Sequence, residues 1–228
     1  MSYNAEKEWT NTFLSKKNMA YPSEYVIRIF KGSYPRLDLD KKSFPGARIC
    51  DVSCGDGRNI PLLKQCGFEV YATEISKEIV DKVSRNLADN GVSAEVRVGK
   101  NDRLPFEDGY FDYVLSWNAC YYMGQNRDFG LHVQELARIL KSGGTLVLSI
   151  PKKSCFIYKT SENGGDGFAV IRNDPFGIRN GEVLRIFEGE EEIADAISTH
   201  FKDFVFGSIH DDCFGFDYHW HIAVCRRR

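Results

Sequence analysis

A chain of 228 residues with 43% hydrophobic and 27% charged side chains has the composition of a globular protein large enough to bury a substantial core. Its 30 basic and 32 acidic residues leave a formal net charge of −2, which excludes a chain-wide field that would draw it to nucleic acid or an anionic membrane. A small-molecule partner and a single domain are the expectation.

The opening residues, Met1–Lys7, lack the basic-then-apolar order of a secretory leader, and no apolar run approaches the ~18–20 residues needed to span a bilayer. The cysteines at 50, 54, 66, 120, 155, 213 and 225 show no Cys-x-x-Cys pair and no metal-ligand spacing, so reduced thiols, a cytoplasmic location and no metal are expected. To about Pro35 the chain reads as two short helices, the second opened by Pro22-Ser23-Glu24. After Pro45-Gly46 strand-like and helix-like segments alternate: Arg48–Val52, a helix from Asn59, Glu69–Thr73, a helix from Ser76 to Asn90, and Ala94–Val98. A strand Phe111–Trp117, a helix from about Arg127 to Lys141 stopped by Gly143-Gly144, and a strand Thr145–Ile150 ended by Pro151 complete a five-strand alternation.

From Pro151 to Asn180 the periodicity disappears, which for so long a stretch marks a functional or disordered loop. Pattern returns with a strand near Val183–Phe187, an acidic-led helix Glu190–His200, a strand Phe204–Ile209 and an alternating strand Tyr218–Cys225. This is an α/β chain built on βαβ units.

In an open parallel sheet the ligand lies beyond the C-terminal ends of the strands. The first such turn is Asp51-Val52-Ser53-Cys54-Gly55-Asp56-Gly57. Gly55 and Gly57 allow close backbone approach and positive φ, and Asp51 offers a carboxylate to an ammonium group. The next strand ends in Glu74, 23 positions after Asp51, where an acid accepts two hydrogen bonds from adjacent ribose hydroxyls. Loop and acid together describe a nucleoside site. A dinucleotide loop needs Gly-x-Gly-x-x-Gly, and here the third glycine is missing while Asp56 would repel a pyrophosphate.

Asp51-x-x-Cys54-Gly55-Asp56-Gly57-Arg58-Asn59, Glu74, Leu104-Pro105-Phe106, Phe111-Asp112-Tyr113-Val114 and Glu135–Lys141-x-Gly143-Gly144 resemble successive motifs of class I S-adenosylmethionine-dependent methyltransferases. The resemblance covers roughly residues 45–151. It implies a three-layer Rossmann-like sandwich, with a seven-stranded, mostly parallel sheet whose last strand, Tyr218–Cys225, is antiparallel. It also implies a helical lid over 1–40, a cofactor-binding core over 45–151, a substrate-specificity insertion over 151–182 and C-terminal strands and a helix over 183–228. S-adenosylmethionine is the implied cofactor. Asp51 would lie near its amino-acid end, with Gly55, Gly57 and Asn59 beneath it, Glu74 on the ribose and Ile75 on adenine.

Two positions depart from the family pattern. Ser53 stands where glycine is usual, and is expected at negative φ with its hydroxyl toward the cofactor carboxylate. Gly99-Lys100-Asn101-Asp102 replaces Gly-Asp-Ala, which leaves Asn101 or Asp102 for the adenine amino group. Tyr21 resembles lid residues that touch the cofactor, and Trp117 belongs with the same contacts.

The sulfonium already activates the methyl group, so the protein has to align an acceptor and exclude water, with a base useful for a hydroxyl acceptor. Tyr121 and Tyr122, after the fourth strand, either face the acceptor or pack on the next helix. His219 and His221 share one strand face, and His219 is the candidate base. Arg172 and Arg179, in the insertion, suit an anionic acceptor such as a phosphorylated or nucleotide-linked sugar or amine. The functional expectation is O- or N-methylation of a polar small metabolite by a monomer or homodimer, without nucleic-acid or membrane partners. A non-catalytic cofactor-binding sensor or partner subunit is the alternative, with a nicotinamide-dependent dehydrogenase behind it.

Overall fold

The computed structural model describes residues 4–124 and 127–228. Residues 1–3 of the expected lid therefore lie outside the described residues. In chain order the elements are α1 (Ala5–Ser15), α2 (Glu24–Lys31), β1 (Arg48–Asp51), α3 (Ile60–Gln65), β2 (Glu69–Glu74), α4 (Lys77–Asp89), β3 (Glu95–Val98), β4 (Phe111–Ser116), α5 (Phe129–Ile139), β5 (Leu140–Pro151), β6 (Glu162–Gly165), β7 (Phe168–Val170), β8 (Val183–Arg185), α6 (Glu190–Ile197), β9 (Phe201–Cys213) and β10 (Phe216–Arg227).

Seven strands form one sheet in the order β3-β2-β1-β4-β5-β10-β9, parallel from β3 to β5, with β10 antiparallel to both of its neighbours. This is the expected seven-stranded, mostly parallel architecture. The chain moves outward from β1 to β3, then returns to start β4 on the other side of β1. Right-handed crossovers therefore place α3 and α4 on one face and α5 on the other. The gap between the ends of β1 and β4 is the switch point where such sheets bind ligands.

The central strands are buried on both faces, which explains why Ile49-Cys50 and Tyr113-Val114-Leu115 are consecutive apolar residues rather than alternating ones. Helix starts follow their caps: Ser76 accepts from the Ile79 amide at the head of α4, and Asp128 from the Leu131 amide at the head of α5. The Glu135-x-x-Arg138 pair on α5 fastens the β3–β4 connection. Glu135 accepts from the Leu104 amide at 2.7 Å, and Arg138 donates to the carbonyls of Leu104 and Phe106 at 2.9 and 2.7 Å.

The segment after Pro151 is not the irregular loop expected. β6, β7 and β8 make a separate three-stranded antiparallel sheet. Its turn is Asp166-Gly167, with φ of +50° and +77°, the two-residue hairpin for which Asp-Gly is suited. Strands of three or four residues give too short a period to register against the glycines around them. β9 and β10 close on a similar turn, Phe214-Gly215, again with both φ positive. No helix among the described residues is long and apolar enough to cross a membrane.

Candidate functional site

Beyond the C-terminal ends of β1, β2, β3 and β4 lies a cavity of about 880 Å³, within the range that holds a cofactor-sized ligand. Its floor and one wall come from Ser53, Glu74, Ile75 and the turn Gly99–Asp102. Asn118, Ala119, Tyr122, Met123 and His132 form the wall after β4, Gly181–Val183 the far side, and Trp9 and Phe13 of α1 the cover.

Glu74 is 4% exposed. It accepts from the Gly55 amide at 2.7 Å and from its neighbour Ile75 at 2.8 Å. A carboxylate has about four acceptor positions, so two amide donors leave room for hydroxyl donors from the cavity. Burial pushes its carboxyl up to about 7, even though those two amides favour the charged form.

Asp51 is 1% exposed and lies outside the cavity lining, with Asn59 as a hydrogen-bond partner. Its Oδ2 has no hydrogen-bond partner among the described residues. Burial, and then the charge of Glu74, push its carboxyl up to about 8. An orphaned buried carboxylate oxygen beside a second carboxylate favours a cation nearby. The acidic pair and the cavity floor thus fit a ligand with a positive end and a ribose.

Ser53 corrects one expectation. Its φ is +55°, not negative, so a side chain occupies the left-handed conformation in which the family's glycine is at ease. The Ser53 hydroxyl donates to Asn101 Oδ1 at 2.9 Å, and Asn101 Nδ2 donates to the Ala119 carbonyl at 3.0 Å. The hydroxyl is used inside the protein, in a bridge that ties the ends of β1, β3 and β4 together. That bridge also occupies Asn101, while Asp102 stays at the cavity wall.

Gly55 takes φ +65°, and a Cβ there would stand 3.0 Å from the Phe13 ring, so α1 packs directly onto the glycine turn. Gly57, at φ +79°, has Val83 of α4 2.8 Å from where its Cβ would be. It serves helix packing and does not line the cavity. Asn59 is buried, and its Oδ1 accepts from the Ser23 amide at 3.1 Å.

The other expected residues separate. Tyr21 is 92% exposed, outside the cavity; it is the amide of its neighbour Ala20 that engages the loop, through Asp56 at 3.1 Å. Trp117 packs against the core, outside the lining. Tyr121 is 1% exposed and stacks on Tyr122 with ring centroids 4.7 Å apart, so only Tyr122 reaches the cavity. The Tyr122 hydroxyl accepts from Arg179 Nε at 3.0 Å. Arg179 also pairs with the fully buried Asp174 carboxylate at 3.0 Å, which places it behind the wall. Arg172 pairs with Glu162 at 3.1 Å at the surface. His219 meets Ser154 Oγ at 2.9 Å and the His210 ring at 4.9 Å, outside the cavity.

Among the lining residues that the sequence did not single out are Trp9, Phe13, His132 and Glu182. Trp9 Nε1 donates to Glu182 at 2.8 Å, and its ring meets Tyr122 edge-on at 5.4 Å. His132 falls in the buried stripe Phe129, His132, Val133, Leu136. That i, i+3, i+4, i+7 spacing is the one signal that turns it inward.

Residues 50–148 match the methyltransferase domain family. That span holds the glycine turn, Glu74 and strands β2 to β4, so the cofactor-side half of the cavity lies in the part of the chain that is similar to a methyltransferase domain. The Synechocystis 2-methyl-6-phytyl-1,4-hydroquinone methyltransferase is 36% identical over 106 residues, 46% of this chain and 32% of its own. A Chelativorans ubiquinone biosynthesis O-methyltransferase is 25% identical over 179 residues, 78% of this chain and 67% of its own. The chain spans about a third of the length of the Synechocystis relative, so the methyltransferase domain is what the two share. Among solved structures, a SAM-dependent methyltransferase from Methanosarcina mazei superposes with a TM-score of 0.66 at 18% identity, covering 85% of this chain and 97% of its own. That agreement is one of fold.

Proposed function

We propose that this methyltransferase domain binds S-adenosylmethionine and catalyses methylation of an oxygen or nitrogen on a polar small molecule. The observation that carries the reading is Glu74, a buried carboxylate with unused acceptor positions at the nucleoside end of the cavity. When bound, the cofactor supplies a methyl group already activated by its sulfonium. The chain's own part is to hold, orient and dry the site. Glu74 binds the ribose, the Asp51 and Glu74 charges favour the cationic end, Ile75 packs on the base, and Trp9 and Phe13 cover the opening.

The acceptor enters on the side of Tyr122, Glu182 and Trp9. An anionic acceptor would have to draw on Arg172 and Arg179, which already face Glu162 and Asp174. Glu6, Glu74, Asp102 and Glu182 outnumber Lys100 in the lining, which supports a neutral or basic polar acceptor over an anionic one. Action as a monomer or homodimer in the cytoplasm, without nucleic-acid or membrane partners, is part of the same proposal and accords with the net charge of −2.

Titration calorimetry with S-adenosylhomocysteine tests the reading. Binding is expected, with a loss of at least tenfold in Glu74→Ala, since charge-assisted hydrogen bonds are worth ~1.5–3 kcal/mol each. Tight binding of NAD with none of S-adenosylhomocysteine would overturn it. Binding without turnover on a broad panel of hydroxyl and amine acceptors would point to a sensor or partner subunit.

A further inference from the structure

The cavity is lined by a histidine with one ring nitrogen that no described residue uses. His132, on the inner stripe of α5, is 4% exposed and lines the cavity. Its Nδ1 lies 2.8 Å from the Cys120 carbonyl oxygen. A carbonyl only accepts, so Nδ1 carries the proton in that contact. Burial lowers the basicity of the ring. A neutral imidazole protonated at Nδ1 has a lone pair at Nε2, a pure acceptor. Nε2 has no hydrogen-bond partner among the described residues.

Its surroundings say what should meet it. Glu74 fixes the ribose position, and the base then extends away from the glycine turn, past Ile75, toward Gly99–Asp102. His132 shares that end of the cavity with Asp102, whose carboxylate is close enough to act on the ring electrostatically. A lone-pair acceptor at the end of a base pocket suits an N–H donor. Asn101, the other polar side chain of the turn, is held by Ser53 and Ala119.

We propose that His132 Nε2 accepts a hydrogen bond from the exocyclic amine of the cofactor's adenine and makes the site specific for a 6-aminopurine over a 6-oxopurine. The inference rests on the reading of the cavity as an S-adenosylmethionine site. A 6-oxo group turns a lone pair toward the Nε2 lone pair, so the wrong base meets repulsion as well as a lost bond.

The test is calorimetric binding of S-adenosylhomocysteine and of its 6-oxo analogue, S-inosylhomocysteine, to the wild-type chain and to His132→Phe. The wild type is expected to prefer the amino compound by about tenfold or more, the worth of one net hydrogen bond. In His132→Phe, which keeps a flat ring in the α5 stripe, the ratio should fall to within about threefold. A thermal melt of each chain without ligand shows whether the variant is folded. The wild-type comparison of the two nucleosides stands even where the variant is not. Equal binding of the two by the wild type overturns the assignment and leaves the cofactor reading intact. An unchanged ratio in folded His132→Phe also overturns it and gives the discrimination to Asp102. Failure of the wild type to bind either nucleoside removes the cofactor reading together with this one.

Discussion

At the scale of single residues, the site joins a position that spacing identifies to one that it misreads. Glu74 is legible because an acid at the end of the second strand, a fixed distance past a glycine turn, has few other uses. Ser53 is misread because a residue's φ is not written in its own identity; it is imposed by what the turn must do. At φ +55° the serine bears a conformational cost of order 1–3 kcal/mol, offset in part by its bond to Asn101 at 2.9 Å. Ser53→Gly removes both the cost and the bond, while Ser53→Ala removes only the bond. In thermal or urea unfolding, Ser53→Ala should lose ~1 kcal/mol, and Ser53→Gly should be at least as stable as Ser53→Ala. A Ser53→Gly chain clearly less stable than Ser53→Ala would show that φ at this position carries no strain. His132 was hidden for a different reason. Its helical stripe turns it inward, but its tautomer depends on a carbonyl of another segment, Cys120, which no local pattern announces.

At the scale of elements, the alternation of strands and helices was readable because each strand of the main sheet is long enough to show its period and each helix has a cap or a glycine stop. The β6–β8 sheet was not, because three short strands around glycines look like a loop until Asp166-Gly167 is taken as a hairpin turn. α1 is a further case. None of its residues is buried, and an isolated helix of 11 residues is marginal in water. It stays in place through a few contacts: Trp9 to Glu182, Thr10 to Ser76 at 2.7 Å, the Phe13 ring over Gly55, and Lys82 donating to the Phe13 carbonyl at 2.8 Å. Few buried contacts mean a low free energy of local opening. Trp9→Ala should therefore leave global unfolding nearly unchanged while α1 is cut several-fold faster in limited proteolysis, and S-adenosylhomocysteine should leave the site faster in stopped-flow displacement. Equal cleavage rates for wild type and variant would mean that α1 is held by something other than the Trp9 anchor.

At the scale of the whole molecule, the strand order followed from the motif resemblance and not from alternation, since a βαβ series alone does not say where the chain doubles back. Charge burial was even less visible, because Asp51 and Glu74 come together only through the parallel pairing of β1 with β2. The consequence is a stability that depends on pH. Both carboxyls are raised in the folded chain, to about 8 and about 7, above the ordinary 3.8 and 4.5. The folded state therefore holds these protons more tightly than the unfolded one. Their contribution is fully present below the ordinary values and is lost as pH rises through the folded ones. His132, His210 and His221 are lowered, His221 to about 4, so they act in the opposite sense and only below 6.5. Between about pH 6.5 and 8 the two carboxyls act without that opposition. The ligand-free chain should lose on the order of 1–2 kcal/mol there, a fall of several degrees in melting temperature for a chain of this size. Asp51→Asn should flatten the slope, because an amide has no proton to lose. A cationic ligand stabilises the charged carboxylates, so its affinity should rise over the same interval. Melting curves at pH 6.5 and 8, for wild type and Asp51→Asn, each with and without S-adenosylhomocysteine, separate the two effects. A wild-type melting temperature that holds level across that interval would mean that Asp51 and Glu74 are already ionised in the empty site. Their charges would then be neutralised by the protein itself and not by a ligand.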